Sequence, residues 1–245
     1  MVLSSPIYSR REEPVASRRG IVWRLLRWVA FAVILFLLLP YLITPLYAVI
    51  NPVSVPMIGR WLTGQRVERV WMPLSQMSPN VPLAVLGAED GKFCTHRGID
   101  FGELKAAIRE ADDGGDARGA STITQQTVKN LFFWQGRSFV RKVLEFPLAL
   151  WLDLVLTKRR QLEIYLNIAE WGPTGEFGVE AGAQRAFNRS AANVDASQAA
   201  LLASMLPNPY RRDAKAPGPG LRRIAGIHQR RMSTMKGLDS CIARP

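Results

Sequence analysis

The chain is short of the residues that announce metal or redox chemistry, with two histidines and two cysteines in 245 residues. So few histidines argue against a histidine-ligated metal site. Acids are also scarce: 20 Asp and Glu stand against 32 Lys and Arg, a net charge of +12. That excess asks for an anionic partner, whether nucleic acid, anionic lipid or a phosphorylated substrate. No zinc-finger, basic-zipper or RNP pattern occurs, which makes nucleic acid the weakest of the three. Strand-type alternation is nearly missing, and so is any internal repeat. What is left is a mainly helical fold. With 48% hydrophobic residues the chain can build a real core. Its length fits one domain plus an accessory segment.

Only one apolar run is long. From Trp28 to Ile50 no charged residue occurs, and a spanning helix needs about 20 apolar residues. Pro40 and Pro45 allow kinks without excluding a span. Trp28, Tyr41 and Tyr47 are residue types that favour membrane interfaces. Before the run stand Arg10, Arg11, Arg18, Arg19, Arg24 and Arg27, opposed only by Glu12 and Glu13. The positive-inside rule then predicts a cytoplasmic N-terminus, with everything after Ile50 on the far side. A cleaved signal peptide fits less well, because the run is long and no small-x-small site follows it. Cys94 and Cys241 would lie in an oxidising compartment. A bridged pair and two separate thiols both fit the sequence.

The chain divides into a basic N-terminus (1–27), a transmembrane helix (28–50), a membrane-proximal connection without firm period (51–79), a folded domain (80–235) and a tail (236–245). Asp100 with Glu103 predicts a helix from Phe101, ended by the polar run 112–116. Thr122 with Gln125 is a capping box and predicts the next helix. Gln125, Gln126 and Lys129 then fall three or four apart and share a face. A third helix holds Arg141, Lys142 and Glu145, with Pro147 interrupting or kinking it. Phe146 to Leu156 reads as a buried core helix, too short to span. Thr157 caps a helix to Ala169. Two more follow, over 178–187 and 195–206, and a basic helix closes the domain. Phe132, Phe133 and Trp134 fit either the core or a surface dipping into lipid.

Four segments carry the chemistry. They are Glu89-Asp90-Gly91-Lys92-Phe93-x-x-His96-x-Gly98-x-Asp100, Gly119 to Gln126 (GASTITQQ), Arg141-Lys142-x-x-Glu145, and Lys158 through Tyr165-Leu166-Asn167. In this order and spacing they resemble the peptidoglycan glycosyltransferase family. This is the family-51 transglycosylase module, also found in bifunctional penicillin-binding proteins. Gly178-Val179-Glu180-Ala181 and Leu206-Pro207-Asn208-Pro209 resemble its later segments. Four motifs in order are far more specific than any one alone. The resemblance implies a lysozyme-like helical domain with a membrane-facing subdomain, behind one N-terminal transmembrane helix. It implies polymerisation of lipid II into glycan strands with inversion from α to β and release of undecaprenyl pyrophosphate. The expected address is the bacterial inner membrane, single-pass, with the catalytic domain periplasmic. The expected partners are lipid II, the growing strand and the bilayer, with other cell-wall or division proteins left open and no nucleic acid.

Residue types agree with that chemistry. A sugar hydroxyl is a poor nucleophile, so a positioned base must take its proton, help typically worth about 10²–10⁴-fold. Glu89 is the choice, matching the family's catalytic glutamate. A pyrophosphate leaving group needs cations more than an acid, and Lys129, Arg137 and Arg141 can supply them. Glu145 matches the family's second glutamate. Two roles stay open for it: holding a divalent cation (magnesium or manganese) at the pyrophosphate, or orienting the basic groups. No organic cofactor is implied. Ser121, Thr122, Gln125 and Gln126 are expected at the substrate, and the N-terminus of the Thr122 helix could donate N–H groups to phosphate. Asp90, Phe93, His96 and Gly98 are expected to support Glu89. Lys158, Glu163 and Asn167 read as structural. The sequence departs from the family at Gln161, Gly182 and Gln198, where an aliphatic residue, Ala and Glu are usual, which predicts weakened local helices. Two readings compete: a lytic, lysozyme-like hydrolase, and a non-catalytic wall-binding scaffold.

Overall fold

The computed structural model describes residues 18–112, 119–136, 138–235, 237 and 240–243. The chain forms two compact units, Met1–Pro40 and Tyr41–Pro245. The described residues of the first are the greater part of one helix, α1 (Arg18–Ile43), whose apolar side chains stand exposed. The stretch Gly20–Ala48 is long and apolar enough to cross a membrane. The helix starts ten residues before the apolar run, because Arg24 and Arg27 interrupt hydropathy but not helix propensity. Pro40 is carried inside α1, whereas at Thr44 the chain tightens into a 3-10 helix, Thr44–Ala48, with Pro45 in its first turn. Pro45 has no N–H to give the carbonyl of Tyr41. The Trp151 indole Nε1 donates to that carbonyl instead, at 3.0 Å.

The second unit is helical, with nine further α-helices among the described residues: α2 (Val55–Leu62), α3 (Asn80–Glu89), α4 (Phe101–Asp112), α5 (Ile123–Phe132), α6 (Phe139–Val155), α7 (Lys158–Ile168), α8 (Val179–Phe187), α9 (Ala196–Met205) and α10 (Pro219–Met235). Two strands of two residues, β1 (Glu68–Arg69) and β2 (Glu176–Phe177), pair in parallel. The caps expected at Thr122 and Asp195 form as full capping boxes. Ser138 and Thr157 cap α6 and α7, and Asp100 accepts from the Glu103 N–H. The polar run 113–118 lies outside the described residues.

Helix α7 is the central element, and two clusters share it. Leu162, Tyr165 and Leu166 pack with α3, α8, α9 and α10 around Phe93 and Trp171. Ile164 and Ile168 pack with α5 and α6 around Met57 and Phe177. Segment 51–79 is therefore more than a connection. Met57, Leu74 and Met77 are core residues, and Asn167 holds both the N–H and the carbonyl of Met72. The segment hides this in sequence because the contacts that bring it into the core reach residues far along the chain.

Helix α6 corrects two expectations. It runs unbroken through Pro147, so the two helices expected there are one. A single missing N–H costs less here than the burial of Leu148, Ala149 and Leu152 on the same face. Nor is the helix buried all round: Phe139, Val140, Val143, Leu150 and Leu154 point outward, exposed. The three departures from the family do not leave weak helices. Gln161 is fully buried, accepts from Thr124 and donates to Asp153 and the Leu156 carbonyl. Gly182 makes room for Trp171, whose Cβ would lie 2.5 Å from an added methyl. Gln198 completes the Asp195 capping box. Cys94 and Cys241 are bridged across 147 residues of chain, a pairing the sequence left open.

Gly98 has φ +77, and a Cβ there would meet the Ala149 carbonyl oxygen at 2.5 Å. Left-handed strain of about 1–2 kcal/mol adds to overpacking of about 1–3 kcal/mol. Gly98→Ala should therefore destabilise the detergent-solubilised protein by about 2–5 kcal/mol in denaturant unfolding. Gly59, inside α2 with open space around it, is the control, and Gly59→Ala should be neutral or mildly stabilising. Equal effects at the two positions would refute the packing argument.

Candidate active site

Glu89 is the last residue of α3, and Asp90 is its cap. A helix end exposes polar groups, and here they are used. The Asp90 carboxylate accepts the Ile123 backbone N–H, the first of α5, at 2.9 Å. It also pairs with His96 Nε2 at 3.0 Å. A carboxylate at a helix N-terminus is favoured by the helix dipole. Asp90 thereby joins the end of α3 to the start of α5. Phe93 is buried beneath the loop, edge-on to His96 and with the Lys158 ammonium 4.6 Å over its ring. Thr122 Oγ1 donates to the Gly98 carbonyl at 2.6 Å. The four expected supporting residues, Asp90, Phe93, His96 and Gly98, are thus brought together around Glu89.

This junction points α5 at Glu89. Gln126 Nε2 donates to Glu89 Oε2 at 2.8 Å, and the Tyr165 hydroxyl donates to Gln126 Oε1 at 2.9 Å. Glu89 lines a cavity of about 420 Å³ with Asp90, Ser121 and Arg231. Gln126 and Lys129 line a second, of about 380 Å³, with Tyr165, Glu170 and Tyr210. The Glu89–Gln126 hydrogen bond therefore joins a lining residue of the first cavity to one of the second.

Gln125 and Thr122 are drawn into the cap of α5, with Thr122 still among the residues that line the first cavity. Their side chains are buried and spent on each other's backbone in the capping box. The phosphate-binding role expected of this helix N-terminus is also displaced, because Asp90 occupies the Ile123 N–H. Ser121 does face the first cavity, and its hydroxyl accepts from Lys142 Nζ at 2.7 Å.

Glu145 is only 2% exposed and sits between two cations. Arg141 pairs with it directly, and Lys142 Nζ lies 3.6 Å from its other oxygen. Arg141 also donates to the Gly136 carbonyl at 2.7 Å. A surface pair at this spacing would be weak, but burial makes removal of either partner costly. Burial lowers the Lys129 pKa, as does Arg141, while Glu89 opposes the shift. Lys142 is lowered by burial and by Arg141 and Lys129. Three cations, Lys129, Arg141 and Lys142, thus face two carboxylates, Glu145 and Glu89. Cations outnumber carboxylates here, and a partly desolvated excess of positive charge favours an anion. Arg137 lies outside the described residues.

Burial raises the Glu89 pKa, and Asp90 adds to the rise, while Gln126, Lys129 and Arg212 pull it back. A carboxylate with a raised pKa is suited to proton transfer near neutral pH. Sequence reasoning missed Tyr165 and Arg212 here. Tyr165 lay inside a quoted motif. Arg212 is one of an ordinary basic pair, and only the fold brings it near Glu89. The residues fit a metal centre poorly. Among the described residues no three of His, Cys, Asp and Glu converge, and both Glu145 oxygens face cations.

The sequence profile of the family described as Transglycosylase matches residues 56–236. The chain belongs to this transglycosylase family. Its helical second unit is accordingly of the lysozyme-like kind. A biosynthetic peptidoglycan transglycosylase of Nitrobacter winogradskyi is 56% identical over 208 residues, 85% of this chain and 92% of its own. One from Rhodopseudomonas palustris strain HaA2 is 54% identical over 219 residues, 89% and 96% of the two chains. One from Agrobacterium fabrum is 48% identical over 216 residues, 87% and 95%.

A raised Glu89 pKa means that the folded state holds its proton to a higher pH than the unfolded chain does. Stability then falls as pH rises from the ordinary glutamate range through the raised value. Glu89→Gln should therefore be more stable than the parent in neutral denaturant titrations. The gain should vanish below the ordinary glutamate range. An equal or lower stability at neutral pH would contradict the raised value.

Proposed function

We propose that the protein polymerises lipid II into peptidoglycan glycan strands. The observation that carries this reading is Glu89, raised by burial and held by Gln126, beside a buried cation cluster with surplus positive charge. Glu89 takes the proton from the acceptor's sugar 4-hydroxyl as that oxygen attacks the anomeric carbon of the donor. The new carbon–oxygen bond forms as the bond to pyrophosphate breaks, and the electron pair leaves with undecaprenyl pyrophosphate. Attack opposite the leaving group inverts α to β. Lys129, Arg141 and Lys142 neutralise the departing charge, as preorganised cations do in a partly dry site. Glu145 orients Arg141 and Lys142. Arg137 is assigned to the same anion by the family resemblance. Gln126 holds Glu89 and favours its ionised form.

The membrane terms follow from the substrate. Both lipid II molecules are bilayer-bound, and α1 keeps the enzyme beside them. The outward apolar face of α6 is read as a membrane-facing surface. Arg24 and Arg27 before the apolar run support a cytoplasmic N-terminus and a periplasmic catalytic unit. The Cys94–Cys241 bridge suits an oxidising compartment. A lytic hydrolase must protonate a poor alkoxide leaving group. It gains nothing from three partly buried cations, so the synthetic reading is favoured over it.

Incubation of the full chain with labelled lipid II should give long glycan. Glu89→Gln should reduce the rate at least about 10²-fold. Lys129→Ala should also slow it strongly. Below the Glu89 pKa the base is protonated, so the rate should fall as pH falls. Gln126→Leu removes a bond to the carboxylate and should move this acid limb to higher pH. Release of fragments from preformed glycan, without polymer, would favour the hydrolase instead.

A further inference from the structure

The cavity beside Glu89 has a wall built by the C-terminal part of the chain. Arg231 and Met235 of α10 line it opposite the Glu89–Lys92 loop. This wall is fixed in three ways. Arg231 Cβ packs 3.4 Å from where a Cβ on Gly87 would stand. Met235 lies over both Gly87 and Gly91, at 3.5 and 3.8 Å from the same construction. Beyond α10, Cys241 is bridged to Cys94, two residues after Lys92. The next residue, Ile242, is 5% exposed, and its carbonyl accepts from Arg159. The bridge thus ties the chain after α10 to the loop that carries Glu89.

The charges around the cavity are settled except at two residues. Lys92 is paired with Asp100 and Glu103 at 3.6 and 2.8 Å. Asp90 is spent on His96 and the Ile123 N–H. That leaves Glu89, reserved as the base, and Arg231. Among the described residues Arg231 forms no ion pair, and its charge lowers the pKa of His228. Its side chain is exposed and so open to a ligand entering the cavity, while the backbone that carries it is held by the packing on Gly87.

We propose that Arg231 binds an anionic group of the substrate in this cavity, and that the Cys94–Cys241 bridge positions it to do so. The inference rests on the lipid II reading above. Lipid II offers two kinds of anion, its pyrophosphate and the carboxylates of its peptide. The Lys129 cluster takes the departing pyrophosphate; of the anions that remain, Arg231 is assigned a peptide carboxylate, which the amidated substrate below separates from the acceptor's own pyrophosphate. Arg231 touches substrate away from the reacting atoms and therefore acts on KM. The cysteines are positioning residues that act through it.

The test is initial-rate kinetics of the full chain in detergent, with lipid II and with lipid II whose peptide carboxylates are amidated. Arg231→Ala should raise KM for ordinary lipid II about tenfold, the size of one charge-assisted contact. The turnover number should stay within about twofold. Arg231→Lys should recover part of the loss. Amidated lipid II should raise the parent's KM similarly and show no further effect of Arg231→Ala. The double variant Cys94→Ser with Cys241→Ser should raise KM in the parent but not on top of Arg231→Ala. A bridge that only stabilises the fold would lower the Tm and leave KM unchanged. An Arg231→Ala penalty that persists on amidated lipid II would move the contact to pyrophosphate and overturn the carboxylate assignment. An unchanged KM in Arg231→Ala, with normal polymer from the parent, would sink the proposal and leave the lipid II reading standing. No polymer from the parent would remove both.

Discussion

The site depends on one carboxylate that takes no proton in the reaction. Asp90 accepts the first N–H of α5 and holds His96. Through these contacts the end of α3 and the start of α5 become one rigid corner. Glu89 and Gln126 then meet at hydrogen-bond distance, and Lys129 follows one turn later on the Gln126 side. The thirty-odd residues between the two helices include α4 and a segment outside the described residues. Without Asp90 nothing in the local sequence would hold base and cation together across that length. The adjacent pair Glu89-Asp90 thus divides its labour: one acid is kept available and the other is consumed.

The same corner explains the electrostatics. Three cations are drawn into partly buried positions against two carboxylates. Left without substrate, that arrangement costs stability, since like charges repel and burial removes their water. Glu145 offsets part of the cost by pairing with Arg141 and Lys142. The remainder is what an incoming pyrophosphate would neutralise. Strain of this kind at a site, with well-capped and well-packed helices elsewhere, is the usual division in an enzyme. Here α9, capped by Asp195 and buried over most of its length after the first turn, represents the settled part.

Membrane attachment is handled by equally local means. Pro45 ends the α-helical part of the anchor, and Trp151 takes the carbonyl that Pro45 frees. A helix break that would otherwise leave an unpaired carbonyl ties Tyr41, at the start of the second unit, to α6. The apolar outward face of α6 follows directly from there, so the fastened element is also the one with lipid-like surface.

Much of this was legible in sequence wherever the controlling interaction is local. The caps at Thr122, Thr157 and Asp195, the anchor, and the order of the motifs all depend on residues within a few positions of each other. Glu89, Lys129, Arg141 and Glu145 could be chosen because their types match a proton transfer and a charged leaving group. What needed the tertiary structure was non-local. Thr122 and Gln125 were indistinguishable from Gln126 by spacing, and only packing spends them inside the fold. Pro147 looked like a break until the burial of Leu148, Ala149 and Leu152 outweighed one lost N–H. Gln161 and Gly182 looked like weaknesses until Asp153, Thr124 and Trp171 appeared beside them. The sequence by itself therefore determined most helices from α4 onward, the long apolar run and the reacting groups, since backbone periodicity, capping and side-chain chemistry are short-range properties. The tertiary structure alone decided that Cys94 meets Cys241, that Tyr165 and Arg212 attend Glu89, and that α10 closes the cavity. Each of those contacts joins residues far apart in the chain, and only the packing of the whole unit determines which of them meet.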